Sequence, residues 1–185
     1  GASLFVFGGK KSNSEFYDEL WQYSLATQKW QLLKPHQEKP IKRAYHCCCY
    51  CHCASNNKRT ITVFGGMSDK KKPLDDICIY DIDTGEWTIY DLFNSPTPRY
   101  LMGSTVCNET QFIIVGGRDD RYIFNDIFCF DLVSKMWRKI VLSGETFFPR
   151  FGHQVLSIGD WIVALGGASY DDMFIDKSTS RPGND

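Results

Sequence analysis

Apolar residues come in short runs that end on paired glycines: Val6-Phe7-Gly8-Gly9, Val63-Phe64-Gly65-Gly66, Ile114-Val115-Gly116-Gly117 and Ala164-Leu165-Gly166-Gly167. Runs this short, rich in β-branched and aromatic residues, predict strands. Between them lie Ile77-Cys78-Ile79-Tyr80-Asp81 and Ile127-Phe128-Cys129-Phe130-Asp131, each followed by a turn and then a run that opens at a tryptophan. The turns are Asp83-Thr84-Gly85-Glu86 and Val133-Ser134-Lys135, so each pair of runs predicts a hairpin. No long stretch keeps a 3.6-residue apolar period, and no helix is predicted.

The pattern repeats. The first glycines of the doublets are 57, 51 and 50 residues apart. Trp30, Trp87 and Trp137 each follow such a glycine by 21 or 22 residues, and Arg43, Arg99 and Arg150 follow those tryptophans by 12 or 13. Three markers in one phase define a unit of about 50 residues, and four strands in such a unit are the pattern of a β-propeller blade.

The residues resemble the kelch repeat, marked by a double glycine after one strand, an aromatic-Asp strand, a turn and a tryptophan. The marks stand here as Gly65-Gly66, Tyr80-Asp81 and Trp87, as Gly116-Gly117, Phe130-Asp131 and Trp137, and in part as Gly8-Gly9, Tyr23-Ser24 and Trp30. Ser24 departs from the aspartate, Met102 stands where His46 and His153 stand, and no tryptophan follows Phe174-Ile175-Asp176. The resemblance implies an all-β fold, an incomplete kelch-type β-propeller with four-stranded antiparallel blades. Counting strands a to d outward from the channel, the chain should begin at strand b of one blade and stop near strand c of the fourth. The expected units are a partial blade at 1–34, blades at 35–92 and 93–142, and a partial blade at 143–185. Kelch propellers usually close with six or so blades, so the remaining blades are expected from flanking sequence in a longer polypeptide. The tryptophans should pack between blades, and His46 and His153 read as parts of the scaffold because both occupy one repeat position. Arg43 to Gly65 is longer than the matching intervals, and the extra length is assigned to a polar turn, Ala54 to Arg59.

Composition narrows the partners. Twenty-one Lys+Arg against 22 Asp+Glu leave a net charge of −1, with 43% apolar residues, so a bulk polyanion is not expected to bind and a core is. The apolar runs stay far below the roughly 20 residues that a membrane-crossing helix needs. Five of eight cysteines crowd into Cys47-Cys48-Cys49-Tyr50-Cys51-His52-Cys53, unlike the spacing of a disulfide framework. With no leader-like start, this points to a reducing compartment, cytoplasmic or nuclear. A zinc site in that segment fails on geometry. Alternate residues of a strand lie about 6.6 Å apart, whereas sulfurs on one tetrahedral zinc must lie within about 4 Å. No metal or other cofactor is therefore expected.

In kelch adaptors, partners commonly bind the face made by the d-to-a and b-to-c loops, often through arginines at the start of strand a. Carried over, this marks Arg43, Arg99 and Arg150, joined by Lys71, Arg118, Arg121, Tyr122 and Phe147 in neighbouring loops. Arginine and aromatic side chains dominate interface energetics. The repeated arginines have a second reading, as bonds to backbone carbonyls or to a repeated acid. Acidic residues, including Asp75, Asp76, Asp119 and Asp120, share these loops, and the mixed charge favours a specific protein or peptide over nucleic acid. Catalytic motifs are absent: no GxSxG, no HExxH, no phosphate loop. The expected function is a non-catalytic adaptor or targeting scaffold. The alternative is the propeller part of an enzyme, either a copper oxidase like galactose oxidase or a kelch domain fused to a catalytic one.

Overall fold

The computed structural model describes residues 2–35, 37–54 and 56–169; Phe174-Ile175-Asp176 lie outside them. Every regular element among them is a strand. Sheet I is β1 (Ser3–Phe7), β2 (Leu20–Ser24) and β3 (Lys29–Leu33). A ribbon of β4 (Arg43–Ala44) and β7 (Met67–Ser68) frames sheet II, which is β5 (Cys47–Cys53), β6 (Lys58–Phe64), β8 (Ile77–Asp81) and β9 (Glu86–Tyr90). Sheet III is β10 (Gly103–Cys107), β11 (Gln111–Val115), β12 (Ile127–Asp131) and β13 (Met136–Ile140), and sheet IV is β14 (Gln154–Ile158) with β15 (Trp161–Leu165). Each sheet is an antiparallel meander in chain order. The strands that come first in sheets II, III and IV lie side by side, so the sheets stack as successive blades about the β5, β10 and β14 side.

Local chemistry sets the hairpins. Asp131 accepts the backbone N–H groups of Val133 at 2.9 Å and Ser134 at 2.7 Å, and Asp81 accepts those of Asp83 and Thr84 at 2.9 and 3.1 Å. These Asx turns begin the tight connection, and Gly85 and Lys135 close it in the left-handed region. In sheet I, Ser24 does the work of the aspartate, its hydroxyl accepting Thr27 N–H at 3.2 Å. Between β5 and β6 the expected polar turn is present at Ala54, Asn56 and Asn57, and only its end is corrected. Lys58 and Arg59 belong to β6, where they pair with Asp81 and Asp83. The extra residues mainly lengthen both strands to seven.

The core lies between sheets. Trp87 packs on Phe7 of sheet I, ring centroids 5.0 Å apart, and Trp137 packs on Phe64 of sheet II, also at 5.0 Å. Each indole also meets an aromatic of its own sheet, Tyr80 or Phe130. Trp30 has no preceding sheet among the described residues and is 51% exposed. Replacing Trp137 with alanine should lower stability by about 3–5 kcal/mol through the lost burial and the cavity left behind, read as a shift in denaturant midpoint. Trp30→Ala should cost well under half of that.

Candidate functional site

Consecutive sheets are joined by one recurring device. The second glycine of each doublet donates its N–H to the carbonyl of the arginine that opens the next sheet: Gly9 to Arg43 at 2.8 Å, Gly66 to Arg99 at 2.9 Å, Gly117 to Arg150 at 2.9 Å. The arginine N–H groups in turn donate to Tyr17, Leu74 and Phe124 in the b-to-c loops of the preceding sheets. This brings the arginine segments and those loops onto one face.

The side chains of Arg43 and Arg99 point inward, which corrects their assignment as partner contacts. Arg43 is 0% exposed and donates to Asp76 Oδ1 and Oδ2 at 2.8 and 2.7 Å and to the Gly65 carbonyl at 3.1 Å. Arg99 is 1% exposed and bonds Asp126 at 2.5 and 3.2 Å and the Gly116 carbonyl at 3.1 Å. Of the two readings of the repeated arginine, these two positions follow the structural one. Arg150 donates to the Gly166 and Phe148 carbonyls and stays half-buried, with no carboxylate bonded to it among the described residues. Phe147 is half-buried. It packs against Ile113, Val115, Cys129 and Val155 between sheets III and IV, and its neighbour Phe148 is the exposed ring.

The remaining sequence-marked residues stand at loop tips. Asp119 Oδ1 accepts the N–H groups of Arg121 and Tyr122 at 2.7 and 2.6 Å, and this turn presents both side chains outward, Tyr122 at 62% exposure. Lys71, exposed and left-handed, caps the matching tip of sheet II, where its N–H donates to the Ser68 carbonyl. Arg118 is half-buried, its guanidinium 5.7 Å from the Tyr100 ring and 5.2 Å from that of Phe151.

Sequence reasoning missed a chain of residues beside these arginines. Leu101 N–H donates to the Tyr45 carbonyl at 2.9 Å and Gly152 N–H to the Leu101 carbonyl at 2.7 Å, linking sheets II, III and IV. All three have positive φ: 59° at Tyr45, 58° at Leu101, 66° at Gly152. Bulky residues in this region are strained, and such strain collects at ligand clamps. Around them two cations flank a pair of rings. Lys10 Nζ lies 5.0 Å from the Tyr45 ring, whose centroid is 6.3 Å from that of Tyr100, and Arg118 follows. The only sequence signal for this row was Gly152, two residues after Arg150, where the other units carry Tyr45 and Leu101.

The cysteine strand has a packing role. Cys47 and Cys51 are buried, Cys49 Sγ lies 3.4 Å from Ser104 Oγ of sheet III, and burial pushes the Cys49 thiol up to about 12. Among the described residues no group of three His, Cys, Asp or Glu side chains could hold a metal ion.

Stacked four-stranded meanders joined through glycine doublets define a β-propeller blade array, open at both ends among the described residues. Residues 1–179 match the KLHDC2/KLHL20/DRC7 Kelch-repeats domain, and the chain belongs to the Kelch-repeat family. It is 30% identical over 166 residues to acyl-CoA-binding domain-containing protein 4 of Arabidopsis thaliana, which covers 89% of this chain and 24% of that protein. It is 27% identical over 169 residues to Kelch-like protein 40 of Xenopus tropicalis, covering 89% of this chain and 25% of that protein. Host cell factor of Drosophila melanogaster is 26% identical over 185 residues, 90% of this chain and 12% of that protein. The chain thus spans about a quarter or less of the length of these relatives.

Proposed function

We propose that the chain is a non-catalytic protein-interaction module, an adaptor or targeting scaffold within a longer protein. It takes a protein or peptide segment on the loop face around Tyr45 and Arg118, with the buried Tyr100 ring beneath them, flanked by the tips at Lys71 and at Arg121 and Tyr122. Kelch domains are typically protein-interaction modules. The observation that carries the reading is the strained pair Tyr45 and Leu101, held at positive φ where Gly152 would serve the backbone alone. A reducing compartment, cytoplasm or nucleus, fits a chain whose eight cysteines form no disulfide.

A photo-crosslinking residue placed at Tyr122 should capture the partner, and one at Val133, exposed on the hairpin side, should not. The double change R121A/Y122A should weaken partner binding by about 30-fold while moving the melting midpoint by no more than ~2 °C. Capture from Val133 alone, or unchanged affinity in the variant, contradicts the placement of the site.

A further inference from the structure

His46, Met102 and His153 each come three residues after the arginine of their unit, and each fills the same space between two sheets. A Cβ on Gly8 of sheet I would lie 3.2 Å from His46 Cε1. One on Gly65 of sheet II would lie 2.8 Å from Met102 Cε, and one on Gly116 of sheet III 3.2 Å from His153 Cε1. On the other side each side chain leans on its own sheet. A Cβ on Gly66, Gly117 or Gly167 would meet the Cβ of His46, Met102 or His153 at 2.8, 2.9 and 2.8 Å. The side chain is a wedge shared by two sheets, and the glycine doublets leave room for it.

Two of the wedges are poorly provided for as cations. His46 Nδ1 is enclosed without a hydrogen-bond partner, and His153, 3% exposed, closes a hydrogen bond through neither ring nitrogen. From sheet I, His46 is met by the Phe7 carbonyl and by the Phe7 ring, 5.4 Å away. From its own sheet it is met by Arg43, whose guanidinium is held by Asp76. His153 is met by the Val115 carbonyl of sheet III and by Arg150 of its own segment. No carboxylate is bonded to either imidazole among the described residues. Burial first, then the neighbouring guanidinium, holds His46 down at about 4 and His153 below the usual histidine range. Met102 carries no proton to exchange.

We propose that His46 and His153 make the first and third sheet contacts acid-labile, while Met102 keeps the middle contact indifferent to mild acid. The imidazoles are neutral in the fold and protonate in the unfolded chain below about pH 6.5. Their contribution is therefore complete above pH 6.5 and is lost as pH falls toward 4, where folded His46 itself takes up a proton. Between pH 7 and pH 5 His46 should raise the opening constant of its contact about 20-fold, and His153 should raise that of its own in the same direction.

Each contact carries a buried thiol that reports its opening. Cys78 lies in the cluster with Phe7, Cys47 in that with Phe112 and Trp137, and Cys129 in that with Val155. Labelling the native chain with a dithiodipyridine, each rate normalised to the unfolded chain at the same pH, reads the three contacts separately. Between pH 7 and pH 5 the protection of Cys78 should fall about 20-fold, that of Cys129 should fall in the same direction, and that of Cys47 should change by less than ~3-fold. H46M should abolish the response at Cys78 and H153M that at Cys129, since methionine already fills this space at Met102. Equal loss of protection at all three thiols, or responses that survive the substitutions, would overturn the proposal. Should a variant fail to fold, NMR titration of the wild-type imidazoles decides: protonation of His46 only below about pH 5 supports the proposal, and protonation near pH 6.5 overturns it.

Discussion

Replacing Gly116 with valine is expected to abolish the native fold, with a loss above about 4 kcal/mol out of a total that for a domain of this kind is roughly 5–15 kcal/mol. Gly116 has φ 57°, a region where a β-branched residue is strained. Its added Cβ would also lie 2.6 Å from the Arg150 carbonyl oxygen and 3.0 Å from that of Phe124. Both obstacles are backbone, and both belong to the tie between sheets III and IV or to the loop that supports it, so neither can swing aside. Gly144 separates the two causes. Its φ is 89°, yet nothing lies within 4 Å of the added Cβ. Gly144→Val should therefore cost only the conformational part, about 1–2 kcal/mol. Circular dichroism and chemical denaturation of the two variants check this, with Gly116→Val unfolded or insoluble and Gly144→Val folded with a lowered midpoint.

The blade architecture was legible because it is written several times. A glycine doublet, a tryptophan and an arginine in constant phase leave little freedom in how the sheets stack, and Trp87 and Trp137 lie between sheets as that phase implies. The face was legible more coarsely than its residues. The sequence left the arginine open between two roles because its partner lies far along the chain, Asp76 being 33 residues from Arg43. The acids do share a phase, each just before Ile77 or Ile127, and comparing them across units would have favoured the structural reading. Phe147 and Phe148 are adjacent aromatics, and composition cannot say which one turns into the cluster around Val155. The polar run Ala54 to Arg59 read as a turn throughout because its charges suggested solvent. Ion pairs to Asp81 and Asp83 on β8 and just beyond it let Lys58 and Arg59 continue a strand. The row Tyr45, Leu101 and Gly152 depends on hydrogen bonds between sheets, which leave no local pattern.

Removal of the Arg99 side chain is the second large expected effect. Arg99→Met keeps the apolar stem but leaves Asp126 without its guanidinium and the Gly116 carbonyl without a side-chain donor. The pair is nearly closed to water on the arginine side, with Asp126 18% exposed, so the loss should be about 3 kcal/mol. An arginine held on the surface for a partner would cost within roughly 0.5 kcal/mol when changed. The Phe124 ring, 4.0 Å from the Arg99 guanidinium, loses its cation as well, which adds to the effect.

A double-mutant cycle on Arg99→Met and Asp126→Asn, read by chemical denaturation, bears most directly on whether the repeated arginines hold the sheets together. A coupling of about 2 kcal/mol or more between the two positions is the predicted result. Near-zero coupling, with Arg99→Met as stable as the parent and only partner binding impaired, would contradict it.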